Sequence, residues 1–146
     1  MVGVALAFAL TGCGQGPVSV EPPEPSGAAK GACRALIDDL PANVGGGKAR
    51  RVEPPEALAA AWGDPPITLR CGVARPEALT PTSECFEING VGWYAEKATR
   101  GTIFTTVGRA TYVEVAVPEA YDPAADSLVD LASSVDRRVR QVKPCQ

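Results

Sequence analysis

The spacing of apolar residues changes several times along the chain, and each change marks an element. Cys33, Leu36, Ile37 and Leu40 recur at i, i+3, i+4 and i+7, which predicts an amphipathic helix over residues 28–40, stopped by Pro41. Cys33 lies on its apolar face. A short Ala-rich helical turn from Glu56 to Trp62 is expected after Pro54-Pro55, ending at Gly63. Ile67, Leu69, Cys71 and Val73 then alternate with Thr68, Arg70 and Gly72, the period of a half-buried strand. Residues 85–89 and 91–94 flank Asn89-Gly90, a dipeptide suited to a type I′ hairpin because both central positions need positive φ. Residues 102–107 and 111–117 read as a second hairpin around Gly108-Arg109-Ala110. The last helix is introduced by Asp122-Pro123, and Leu128, Leu131, Val135, Val139 and Val142 form its apolar stripe.

Two helices that each have one apolar face bracket a run of strands. The economical arrangement is α+β: a two-layer sandwich in which an antiparallel sheet of four or five strands carries the N- and C-terminal helices on one face. If the helices run antiparallel, the start of the first lies beside the end of the second.

The first residues do not fit that domain. Val2 to Leu10 form an apolar run too short for a bilayer, which needs about 20 residues. It leads into Leu10-Thr11-Gly12-Cys13, which resembles the bacterial lipobox, whose Cys is acylated after signal peptidase cleavage. No Lys or Arg precedes Cys13, so a start codon upstream of Met1 is expected. Pro17, Pro22, Pro23 and Pro25 follow. The expected organisation is therefore a signal peptide over 1–12, a lipid-bearing Cys13 with a Pro-rich tether over 13–30, and a folded domain over 31–146.

Cys33, Cys71, Cys85 and Cys145 remain, an even number in a chain expected to be exported, so two disulfides are the default. Three pairings exist. Cys71 with Cys85 would close a turn-rich loop of about 15 residues, for about 3 kcal/mol of stabilisation. Cys33 with Cys145 would then pin the two ends of the domain, for about 4 to 5 kcal/mol.

Composition removes chemistries rather than adding one. The 146 residues contain no His, which takes away the usual general base and the commonest zinc ligand, and no C-x-x-C is present. No metal or cofactor is expected. With 14 basic and 17 acidic residues there is no field suited to nucleic acid. The group Arg137, Arg138, Arg140 and Lys143 comes late in the last helix, opposing its macrodipole, with Asp126 and Asp130 early.

Gly45-Gly46-Gly47-Lys48 suggests a phosphate loop, but Ala42 and Ala49 stand where the motif needs Gly and Ser or Thr, so a flexible turn is expected. Asp64, Glu84, Glu87 and Glu96 show no spacing that sets two apart as an acid and a base. Ser133-Ser134 lack an activating base.

The stretch Ala59-Ala60-Ala61-Trp62-Gly63-Asp64-Pro65-Pro66-Ile67-Thr68-Leu69-Arg70-Cys71-Gly72, followed by Pro81-Thr82-Ser83, Asn89-Gly90-Val91 and Trp93, resembles the DUF3515 family of actinobacterial exported proteins. The likeness runs from about Cys33 to Val139. It implies location and relatives; the family has no assigned activity, and no catalytic residue carries over. The expected function is that of a lipid-anchored protein on the extracytoplasmic face of the cell membrane. Its domain would be non-catalytic and would bind an envelope protein or wall component, with Trp62, Arg70 and Trp93 as the candidate binding face. The alternative is a carboxylate-dependent hydrolase of wall polymer.

Overall fold

In the computed structural model, which describes residues 15–145, the chain contributes ten strands and two helices. They are β1 (Val18–Ser19), α1 (Gly27–Asp38), β2 (Asn43–Val44), β3 (Gly47–Arg50), β4 (Val52–Glu53), β5 (Ala59–Trp62) and β6 (Ile67–Val73). After these come β7 (Phe86–Ile88), β8 (Val91–Ala98), β9 (Gly101–Val107), β10 (Tyr112–Pro118) and α2 (Asp126–Arg138). The main sheet is antiparallel and has eight strands in the order β2-β3-β5-β6-β10-β9-β8-β7. The α+β class is as expected, but the sheet is larger than four or five strands. The added strands are short pieces, β2, β3 and β5, from a stretch whose pattern suggested turns and helix.

Alternation explains one face of the sheet. Ile67, Leu69 and Cys71 on β6 stand beside Val113, Val115 and Val117 on β10, and all six are buried. Both helices bury onto this layer: Cys33 and Leu36 from α1 and Leu128, Leu131, Ala132 and Val135 from α2 join one core with it. The helix ends differ from expectation. The end of α1, not its start, lies beside the end of α2: the Asp39 carboxylate takes hydrogen bonds from Arg137 at 2.9 Å and Arg138 at 3.2 Å, and the Ser134 hydroxyl donates to the Asp39 carbonyl at 2.8 Å. Asp122 does not cap α2. Its first turn is instead tightened by i to i−3 bonds from Asp126, Ser127 and Leu128 to Pro123, Ala124 and Ala125. Val139 is buried just past the helix, whereas Val142 is exposed.

That end-to-end meeting decides the cross-links. Cys33 pairs with Cys71, Cα atoms 5.3 Å apart, and Cys85 pairs with Cys145 at 5.8 Å. The expected pairs Cys71–Cys85 and Cys33–Cys145 are therefore incorrect. The apolar face that carries Cys33 lands on the buried side of β6, where Cys71 points, while Cys85 at the start of the β7–β8 hairpin meets the chain returning from α2.

The second face carries the other surprise. Residues 15–25 belong to the stretch expected as a Pro-rich tether, yet they lie along the domain as a strap. Gln15 donates to Asp64 at 3.0 Å, the Gly16 carbonyl accepts from Arg50 at 2.8 Å, and Val18 is buried with β1 paired in parallel to β4. Farther on, Arg70 reaches the Glu21 carbonyl at 3.3 Å. Pro25 sits on Gly72, where φ is +89° and a Cβ would strike the proline ring. The segment is extended because its prolines keep it so, and it docks because the sheet beneath presents small residues, Ala59 and Ala61. Cys13 and the 1–12 segment lie outside the described residues.

Two outcomes test this arrangement. Non-reducing peptide mapping should recover Cys33 with Cys71 and Cys85 with Cys145, each loop contributing about 4 kcal/mol in the chain-entropy treatment; a Cys71–Cys85 peptide would refute the packing of α1. The Arg138 and Arg137 guanidiniums hold the Asp39 carboxyl below the usual carboxylate range. Its contribution to stability is thus present above the unfolded carboxyl value and lost as pH falls through the lower folded one. Denaturant titrations should accordingly show Asp39→Asn less stable than the parent at neutral pH, with the gap closing only in strong acid. A gap that stayed constant down to pH 2 would show the pairing to be without effect.

Candidate functional site

The three residues expected to share a binding face do not share one. Trp62, at 1% exposure, ends β5 and donates its indole N–H to the Pro41 carbonyl at 2.9 Å. Trp93, at 0% exposure, lies on β8 opposite Phe86. In strand order β5 and β8 are separated by β6, β10 and β9, about 19 Å at about 4.8 Å per step. Arg70 points to the opposite face of the sheet, where it pairs with Glu114 across β6 and β10 at 2.9 Å. The two tryptophans are core, and Arg70 is a cross-strand and strap contact.

The other candidates disperse as well. Asp64 is an exposed turn residue held by Gln15 and lying 3.9 Å from Arg50. Glu87 faces Gly92 across the β7–β8 pair, and Glu96 lies four residues farther along β8, about 13 Å away. Glu84 is exposed in the loop before β7. The Gly45-Gly46-Gly47 turn joins β2 to β3, and its Gly45 amide donates to the Asp130 carboxylate at 2.9 Å, a partner that would repel a phosphate. Ser134 is buried and spent on Asp39, whereas Ser133 is exposed.

What the fold does assemble is a cleft of about 260 Å³ at one end of the sheet. One wall is the loop after β6, with Arg75, Leu79, Thr80, Pro81 and Ser83; the floor is Val107, Gly108 and Tyr112; the other wall is Lys143, Pro144 and the Cys85–Cys145 disulfide. Its shape is held from several sides. The amides of Val142 and Lys143 both donate to the Gly108 carbonyl, at 2.7 and 3.1 Å, and the Ala110 amide donates to Arg140 at 2.9 Å. Arg109, its side chain almost wholly buried, ties the same end together by donating to the carbonyls of Val139 at 2.9 Å and Gly90 at 2.6 Å and to Asp136 at 2.8 Å. Within the loop wall, the Thr80 amide donates to the Ser83 hydroxyl at 2.8 Å.

The sequence matches the DUF3515 family, described as proteins of unknown function, over residues 1–144. The chain belongs to the DUF3515 family. No curated protein matches it. No solved structure matches it either. For this DUF3515 chain the site therefore rests on geometry. Among the described residues no group of three or more His, Cys, Asp or Glu side chains is placed to hold a metal, and no helix is long and apolar enough to cross a membrane.

No local sequence signal marks the cleft. Arg75 carries no motif, and Lys143, which the charge pattern assigns to the last helix, lies beyond it, folded back on Gly108. The usable signal was Cys145 itself, which had to bring the final residues back against the sheet.

The burial of the tryptophans gives a direct test. Trp62→Ala and Trp93→Ala should each lose about 3–5 kcal/mol of folding stability by thermal or denaturant melt, as large core truncations do. Arg70→Ala should lose under about 1 kcal/mol, the range of a cross-strand pair. Tryptophan variants that melt like the parent would return these residues to the surface.

Proposed function

We propose that this chain is a lipid-anchored protein of the cell envelope, held at the membrane through Cys13, whose disulfide-braced domain is a non-catalytic binding or accessory module outside the membrane. The observation that carries the reading is the pair of cross-links between cysteines distant in sequence, because protein disulfides persist in oxidising compartments. The apolar run ending in Leu10-Thr11-Gly12-Cys13 supports the anchor.

Binding is favoured over hydrolysis by the cleft's lining, which holds cations, hydroxyls and apolar surface but no Asp or Glu to act as an acid and a base. The strap adds an orientation. Gln15 is bound beside the β5–β6 turn, and Cys13 is two residues away, at most about 7 Å of chain. The cleft lies past the other end of β6, where Val73 faces Tyr112, about 20 Å farther. An acyl chain on Cys13 would set the β5–β6 turn against the membrane and leave the cleft facing away from it, toward a partner from the envelope or wall.

The measurement is detergent phase partition of the protein expressed in a host with lipoprotein processing. Wild type should enter the detergent phase, and Cys13→Ser should remain aqueous with an uncleaved or miscleaved N-terminus. Identical partition of the two would end the anchor reading.

A further inference from the structure

We infer that the cleft between the loop after β6 and the C-terminal segment is a binding site for a small organic monoanion with an apolar body, its charge read by Arg75 and Lys143. The inference deepens the binding function proposed above and rests on it for its biological setting, not for its chemistry.

Arg50, Arg70, Arg109, Arg137 and Arg138 all have carboxylate partners in the structure. The other nine cations have none among the described residues, and of these Arg75 and Lys143 are the two that line the cleft. No carboxylate lines it; Glu77 and Glu84 belong to the same loop but are outside the lining. Two like charges lining one space raise its positive potential, and an anion bound there is attracted by both. A guanidinium further offers a planar fork suited to an oxyanion.

The remaining lining sets the body of the ligand. Leu79, Pro81, Val107, Pro144 and the disulfide supply apolar surface, and hydroxyls of Thr80, Ser83 and Tyr112 break it at intervals. That mixture of apolar walls with a few polar groups is the usual composition of a ligand pocket. The volume, about 260 Å³, is below the range of about 300–1,000 Å³ for drug-sized ligands, so the occupant is small. Preorganisation also favours binding. The Lys143 wall is pinned to Gly108 by two backbone hydrogen bonds, and Cys145 packs directly over Gly92, so the chain's own contacts hold this side of the cleft.

The test is a titration of the full-length protein in detergent, and of its Cys13→Ser form without detergent, with sodium hexanoate followed by amide NMR shifts. Saturable shifts are expected at Val107, Gly108 and Lys143 in both preparations. Arg75→Gln and Lys143→Gln should each weaken the apparent affinity about two- to fivefold, the range for solvent-exposed charge pairs. Lys97→Gln, at the far end of β8, should leave it unchanged. Neutral 1-hexanol and inorganic phosphate should each fail to reproduce the hexanoate shifts, since each supplies only half of the recognition.

Unaltered affinity in both cleft variants, equal weakening by Lys97→Gln, or equally tight binding of hexanol or phosphate would overturn the assignment. So would shifts seen only in the detergent preparation, which would report the micelle. The anchor and the cleft fail separately, because partition of Cys13→Ser reads one and the titration reads the other.

Discussion

The antiparallel pairing of β6 with β10 sets Val113 opposite Cys71 and Val115 opposite Leu69 on the buried side, and Glu114 opposite Arg70 on the other. Each layer of the domain attaches to those residues. The helices bury onto the apolar row, and Cys71 bonds α1 to it directly. The strap is held from behind by Arg70, the same side chain that pairs with Glu114 across the two strands. On either side β5 and β9 extend the sheet from this centre. The pair joins segments about 40 residues apart, so its loop-closure cost must be recovered by what packs on it, and both faces contribute.

How much of this was legible depended on whether the information was local. β6, the Asn89-Gly90 hairpin, the β9–β10 hairpin and the body of both helices were readable because period and turn chemistry act over a few residues; Asn89 and Gly90 adopt the positive φ values, 47° and 83°, that the type I′ turn requires. Ala59–Trp62 failed for the opposite reason. Three alanines favour helix intrinsically, but here they sit between β3 and β6 with the strap behind them, and only small side chains fit there. The disulfide pairing could not be read, because it follows from the C-terminal ends of α1 and α2 meeting at Asp39, a contact between residues nearly 100 positions apart.

The candidate site was the least legible part, again for physical reasons. Exposed Trp and Arg are good anchors at an interface, but a chain with 3 Phe, 2 Trp and 3 Tyr has few large side chains to fill a core, and both tryptophans are used there. The cleft draws on three separate segments, and none has a composition that stands out alone. Its existence depends on Cys145 returning to Cys85, and therefore on where α2 ends.

The arginines show why the cleft, and not the face first expected, is free to meet a ligand. Arg109 satisfies two carbonyls and Asp136 from an almost fully buried position, so moving it toward a ligand would strand buried acceptors as well as its own charge. Arg70 is half-buried between Glu114 and the strap, and an incoming anion would compete with carboxylates already in place. Such groups hold the fold because their partners are internal. Arg75 and Lys143 differ in being exposed, without a carboxylate partner among the described residues, and in lining one space. An anion entering there displaces water rather than protein, so the domain can bind it without giving up any of the contacts that keep the cleft in shape.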